Sequence, residues 1–204
     1  MKLQQLSGVI NFNEYKKDKW CVFFSHPGDF TPVCTTEFIA FARAYTYFEE
    51  RNTCLLGLSV DSNSSHLAWI HNIFKNTGIK IPFPIIADRD AAIARKFGMI
   101  SPEISNIQAV RNVYIIDPNN KIRTILIYPL TTGRCIPEIL RIIDALQLTD
   151  KENVSTPANW TVGSPVIIPP PNNIECLYDR VNNQADLTCM DWYLCLKQKE
   201  LIDK

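Results

Sequence analysis

Two short apolar runs, WCVFFS at 20–25 and CLLGLSVD at 54–61, constrain this chain most strongly. Each has the length and β-branched or aromatic character of a strand buried on both faces. Between them Phe38, Phe41, Tyr45 and Phe48 recur at helical spacing, which predicts one helix with an aromatic inner face. Strand, helix and strand in that order form a βαβ unit, and a chain with such a unit is an α/β protein.

The pattern continues downstream. A second helix is expected at 64–75, with Leu67, Ile70 and Phe74 inward, followed by a strand in FPIIAD (83–88) and a short helix at 91–97. VYIID and KIRTILIY, separated by Pro118-Asn119-Asn120, read as a hairpin. A last core helix is expected at 137–146, with Pro137 in its first turn. The sum is a thioredoxin-like α/β core over 1–150. Beyond it, five of the 13 prolines fall between Pro157 and Pro171. That density favours extended, polyproline-like chain, so 151–204 is expected to be a linker and arm, not a second globular domain.

Charge and cysteine usage narrow the function classes. Lys and Arg number 21, as do Asp and Glu, so the basic excess of a nucleic-acid or anionic-membrane binder is lacking. No apolar run is long enough for a spanning helix. The first 20 residues do not read as a signal peptide, and the seven cysteines imply a reducing, cytoplasmic compartment with free thiols. The three Asn-x-Ser/Thr sequons are then chance matches.

One cysteine stands in a distinctive setting. In HPGDFTPVCTTEF (26–38), Thr31 suits a helix N-cap and Pro32 the first helical position, which puts Cys34 in the first turn. Free amides and the positive end of the helix dipole favour an anion there, and a thiolate is the nucleophilic form of cysteine. A buried small hydrophobe is the competing reading, and for Arg111 and Arg134 it is an ordinary ion-pairing arginine. Cys21 and Cys54 lie inside apolar strands and are expected to be buried and inert. Cys135 and Cys176 have no evident partner. His66 and His71, five apart, are expected to face solvent.

Pro27-x-x-x-Thr31-x-x-Cys34 resembles the active-site signature of the peroxiredoxins, and FSHPGDFTPVCTTEF resembles their one-cysteine subfamily. The likeness extends through IPFPIIAD, Arg111 in AVRNVYIID and YPLTTGR, across nearly the whole core. It implies a thiol-dependent peroxidase for hydrogen peroxide and organic hydroperoxides, without cofactor or metal. Cys34 would be the peroxidatic nucleophile, passing through a sulfenic acid. Thr31 and Arg111 would bind the peroxide, Pro27 would exclude water and Glu37 would orient the arginine. Arg134 would add a second positive charge, with His26 in support.

In the tail, LTCMDWYLC resembles the Cys-x-Asp-Trp-(aromatic)-x-Cys of archaeal and bacterial members. The resemblance implies that Cys195 resolves the sulfenic acid, with Cys189 its exchange partner. A structural disulfide is disfavoured by compartment, and a zinc site lacks ligands beyond Cys176. A thioredoxin-like or other thiol reductant and a homodimer, or a decamer of dimers, are likewise implied. Little precedes Trp20, where the family usually has a longer segment with Gly-Asp-x-Ala-Pro, and nine residues follow Cys195, where many relatives continue. Both ends contribute to subunit contacts in the family, so these departures bear on the implied oligomer. No Gly-x-Ser-x-Gly precedes the first core strand, so no phospholipase activity is expected. A Cys-x-x-Cys oxidoreductase is excluded by spacing, whereas a binding or chaperone-like assembly is opposed only by the intact Pro27, Thr31, Cys34 and Arg111.

Overall fold

A computed structural model describes residues 2–5, 8–100, 109–183 and 186–198. It divides into two compact units, Met1–Ile136 and Pro137–Lys204.

The first unit is built on a seven-stranded sheet of order β2-β1-β5-β4-β3-β6-β7. Its centre is β3 (Trp20–Ser25), parallel to β4 (Thr53–Ser59), which is parallel to β5 (Ile85–Ala87). Both β3 and β4 are buried along their whole length, as their continuous apolar runs require. On the far side of β3 lies the expected hairpin: β6 (Arg111–Ile116) is antiparallel to β3, and β7 (Ile122–Tyr128) is antiparallel to β6. The hairpin β1 (Lys2–Gln5) and β2 (Gly8–Asn11) extends the opposite edge.

The helix expected after β3 is two helices, α2 (Pro32–Arg43) and α3 (Tyr45–Glu50), separated at Ala44. Phe38, Phe41 and Phe48 still point inward, as their spacing predicts. Phe24 from β3 stacks on Phe41 at 4.4 Å between centroids, and Phe38 sits 4.7 Å from Trp69 and 5.5 Å from Phe83. This aromatic layer fills one face of the sheet. Cys21, Phe23, Cys54, Leu56, Tyr114 and Ile116 fill the other, covered by the helices α1 (Phe12–Lys16) and α5 (Ala92–Lys96).

Helix α4 (Asn63–Thr77) corrects the expected inner face. Ser62 caps it through Ser65 N, and Gly78 ends it at φ 71, a left-handed conformation that glycine adopts without a Cβ clash. Its buried stripe is His66, Trp69 and Ile73, whereas Leu67 is 46% and Phe74 42% exposed. The two stripes differ by one residue, a rotation of about 100° on a helix. The wrong one was favoured because a histidine counts as polar until its partner is known.

In the second unit, α6 (Ile136–Glu152, its first residue in the first unit) runs longer than expected. The proline-rich stretch is not wholly extended tether. Val166–Ile168 forms β8, the edge of a three-stranded antiparallel sheet with β10 (Leu194–Lys197) in the centre and β9 (Leu187–Asp191) beyond. Three β-branched residues suffice for an edge strand when the flanking prolines stand at its ends, where no ladder amide is lost. Val166 and Trp160 are buried, and the Trp160 indole donates to Ser164 O at 3.2 Å. Helix α7 (Ile174–Asn182) completes the unit, and residues 199–204 of the predicted arm lie outside the described residues.

Candidate active site

The strand register places the site's elements side by side. β3 pairs Phe24 with Val113, so the antiparallel ladder carried two residues further brings Arg111 beside the loop that leaves Ser25. Ser25 reinforces this meeting, because its hydroxyl accepts from Asn112 N and donates to Val110 O. The loop then enters α2 with Thr31 in extended conformation at the N-cap and Pro32 at the first helical position, as expected. The Thr31 side chain does not cap the helix. Its hydroxyl donates instead to Gly28 O at 2.9 Å, which tightens the loop.

Cys34 lies in the first turn and is completely buried. Glu37, three residues on, occupies the same face of α2, where i and i+3 side chains are neighbours. Arg111 Nη1 donates to Cys34 Sγ at 3.2 Å and to Glu37 Oε2 at 2.8 Å. The other guanidinium nitrogens of Arg111, Nε and Nη2, hold the Leu130 carbonyl at 3.1 and 2.9 Å. Arg134 grips Glu37 from the other side, with its backbone N at 3.0 Å and Nε at 2.9 Å from Oε1, and Nη2 at 2.6 Å from Oε2. Its Nη1 reaches Ser25 O, and its plane lies 4.9 Å over the Phe24 ring.

Two guanidinium groups and one carboxylate leave one positive charge in excess beside the Cys34 sulfur in a buried place. Sequence reasoning named all four residues, and the structure brings them together. Pro27, in the loop that leads from β3 into α2, is also buried.

A second cluster was missed. His26 and His66 are both fully buried, and both hold Asp29: His26 Nε2 at 3.0 Å from Oδ1, and His66 Nδ1 at 3.0 and 2.8 Å from Oδ1 and Oδ2. His66 is therefore not solvent-facing; it donates into the loop between Pro27 and Thr31, while His71 is exposed as expected. Burial pushes the His26 pKa down against the pull of Asp29. For Asp29, burial acts upward, but the two histidines outweigh it and hold the carboxyl below its ordinary range. Asp29 N donates to Asp61 Oδ2, and Trp69 Nε1 donates to Thr35 Oγ1, which in turn donates to Thr31 O. So α4 grips both the loop and the first turn of α2. The ligand atoms of His26, Asp29 and His66 lie within 4.8 Å of one another, the donor types of a cation site, but here they are spent on one another. The one available sequence signal was an Asp29 with two histidines in reach, and that reach is set only by folding.

In the tail, Cys189 and Cys195, the two cysteines expected to exchange, are joined as a disulfide. They are register partners on β9 and β10, so the hairpin itself brings them together. Cys21, Cys34, Cys54, Cys135 and Cys176 are free, and Cys135 and Cys176 are exposed.

Comparison with known proteins gives these residues a context. The model of the AhpC/TSA family matches residues 1–125, and that of the C-terminal domain of 1-Cys peroxiredoxin matches 145–175. Peroxiredoxin 2 of Caldanaerobacter subterraneus is 58% identical over 197 residues, covering 97% of this chain and 89% of that relative. The chain belongs to the peroxiredoxin family.

As a peroxiredoxin it is a thiol-dependent peroxidase, and its fold is the thioredoxin-like one expected. The peroxiredoxin of Aquifex aeolicus is 48% identical over 205 residues, covering 96% of this chain and 91% of its own length. Among solved structures, a yeast mitochondrial 1-Cys peroxiredoxin superposes with a TM-score of 0.85 at 40% identity, covering 98% of this chain and 95% of that one. A mutant of peroxiredoxin 6 of Arenicola marina superposes with a TM-score of 0.86 at 33% identity and the same coverage. Among the described residues no helix is long and apolar enough to cross a membrane.

Proposed function

We propose that Cys34 is the peroxidatic nucleophile of this peroxidase and that Arg111, Glu37, Arg134, Thr31, Pro27 and His26 serve it. The observation that carries this reading is the 3.2 Å contact from Arg111 Nη1 to Cys34 Sγ, inside a buried cluster that ties Arg111 through Glu37 to Arg134. The thiolate attacks one peroxide oxygen, the O–O bond breaks, and the departing oxygen leaves as water or alcohol after taking up a proton. Negative charge moves from sulfur toward that oxygen, so the Arg111 guanidinium stabilises both ends of the transfer. The Thr31 hydroxyl already donates to Gly28 O, and its lone pairs remain to accept the peroxide hydrogen. Pro27, without an N–H, keeps competing water from that side. Glu37, braced by Arg134, sets the angle of Arg111.

The sulfenic acid on Cys34 is then attacked by Cys195, releasing water and forming a disulfide. Cys189 attacks the Cys195 sulfur, expels the Cys34 thiolate and takes over the bond. The Cys189–Cys195 disulfide is that end state, ready for a thiol donor, and the adjacency of the two residues supports it. On this reading the chain is of the one-cysteine type with an archaeal and bacterial tail, 1–150 is the catalytic core, and 151–204 is the arm that carries the exchange pair. The yeast relative's resolution through glutathione/thioredoxin systems supports a thioredoxin-like or other thiol reductant. Five free cysteines fit a reducing cytoplasm. Edge strand β7, with Ile122, Ile125 and Ile127 exposed, supports a homodimer, and a decamer of such dimers is what the family resemblance implies.

The test is turnover with peptide mapping. Cys34→Ser is expected to abolish peroxide consumption, and full turnover in that variant would sink the assignment. In the unsubstituted, reduced protein, one equivalent of peroxide is expected to give a Cys34–Cys195 link and then Cys189–Cys195. A sulfenic acid persisting on Cys34 would remove the tail from the cycle.

A further inference from the structure

A second pair of thiols lies at the other end of the central sheet. Cys21 and Cys54 are each the second residue of their strand and are paired in register across β3 and β4, so both side chains leave the same face of the sheet next to each other. Cys21 is wholly buried and Cys54 is 6% exposed, and both belong to the core layer facing α1. Cys34, by contrast, follows the C-terminal end of β3. From Cys21 to Ser25 the strand alone advances about 13 Å, at ~3.3 Å per residue.

Adjacent strands run about 4.7–4.9 Å apart, inside the ~4.4–6.8 Å range of Cα separations that a disulfide spans. We propose that Cys21 and Cys54 are a second redox site, a dithiol in which Cys54 attacks peroxide and Cys21 closes an interstrand disulfide. Two small core side chains would need only to fill space, and alanine or valine would do so. What sets this pair apart is its surroundings. Lys16 is almost completely buried, and its ammonium donates to the Pro118 carbonyl, a neutral acceptor, at 3.0 Å. A buried cation with a neutral partner gains from a nearby anion.

The two thiols are also made unequal. The hydrogen bond from Cys21 draws the Cys54 pKa down, burial opposes this, and Lys19 and Lys16 add to the lowering. The Cys21 pKa is raised by that same bond and by burial. Of the two, Cys54 is the one favoured to ionise and attack, and Cys21 the one that holds its proton, which is the division of labour that disulfide formation needs.

The chemistry balances with the peroxide that the family's reaction supplies. Cys54 thiolate takes one oxygen of the peroxide, the O–O bond breaks, and the departing oxygen takes from solvent the proton that Cys54 gave up on ionising, leaving as water or alcohol. Cys21 sulfur then attacks the Cys54 sulfenic acid, the S–S bond forms, and hydroxide leaves as water with the Cys21 proton. Two thiols lose two electrons and the peroxide gains two. A dithiol reductant reverses the step. No part of it passes through Cys34, so it stands apart from the reading of the catalytic site.

Trypsin leaves Cys21 and Cys34 together on peptide 20–43 and Cys54 on 52–75. The full-length Cys34→Ser protein therefore gives the unambiguous experiment. It is reduced, treated with hydrogen peroxide, quenched by an alkylating agent before unfolding, and digested without reductant. The expected product is 20–43 joined to 52–75, two hydrogens lighter than the separate peptides and released by dithiothreitol, with matching loss of both alkylated peptides. Recovery of both thiols free, or of Cys54 as sulfinic acid with no link, overturns the proposal. Cys54→Ala keeps a small apolar side chain in the core, and a persisting species at the cross-linked mass in that variant would also overturn it.

Discussion

At Cys34 a single nitrogen, Arg111 Nη1, divides its hydrogens between the sulfur and the Glu37 carboxylate. The Leu130 carbonyl and Glu37 hold the guanidinium on three sides, so in the role proposed for it Arg111 would need no reorganisation as charge moves onto the peroxide. Arg111→Met keeps the bulk and removes the donors. It is expected to lower the second-order rate with hydrogen peroxide by about 10²–10³-fold, the loss seen when one fixed transition-state donor is removed. Stopped-flow kinetics at matched thermal stability checks this, and a rate within a factor of about two of the unsubstituted protein would contradict it.

At the scale of elements, α4 acts as a clamp. His66 holds Asp29 in the loop and Trp69 holds Thr35 in the first turn of α2, so one helix face fixes both sides of Thr31. The buried His26 gives this clamp a pH dependence. Its folded pKa is lowered, so below the ordinary histidine value, ~6.5, the unfolded chain binds a proton that the folded chain refuses. Stability is thus full above that value and falls as pH drops through it, by at most about 1.4 kcal/mol per pH unit for one group. Asp29, lowered, adds stability above the ordinary carboxylate range that is lost only in stronger acid. Urea midpoints are expected to fall from pH 7.5 to about 5.5, and His26→Gln to flatten that slope; an unchanged slope would free His26 of the role.

For the whole molecule, the sheet is blunted at one edge by the β1–β2 hairpin but ends at the other in β7. There Ile125 and Ile127 are 49% and 70% exposed, and the strand's one charged residue, Arg123, is drawn into an ion pair with Asp117 at 3.5 Å, so it guards the edge poorly against pairing. A second copy pairing along this strand would cover both. Ile127→Lys is expected to convert a dimer into a monomer in size-exclusion chromatography with light scattering, with melting of the monomer little changed. An unaltered mass would place the contact elsewhere.

The chain alone made the two βαβ units, the β6–β7 hairpin and the Cys34 turn readable, because those depend on residues close in sequence: period, caps and prolines. It also marked Arg111, Glu37 and Arg134, but only through likeness to a family, since nothing local distinguishes an arginine that meets a sulfur from one that meets water. Folding decided the rest. His66 was misplaced because its partner Asp29 lies 37 residues away, and a histidine is inward or outward according to whether such a partner arrives. Val166–Ile168 became a strand because β10 offered it a ladder. Cys21 and Cys54, 33 positions apart, became neighbours through the register of two parallel strands, which local sequence does not encode.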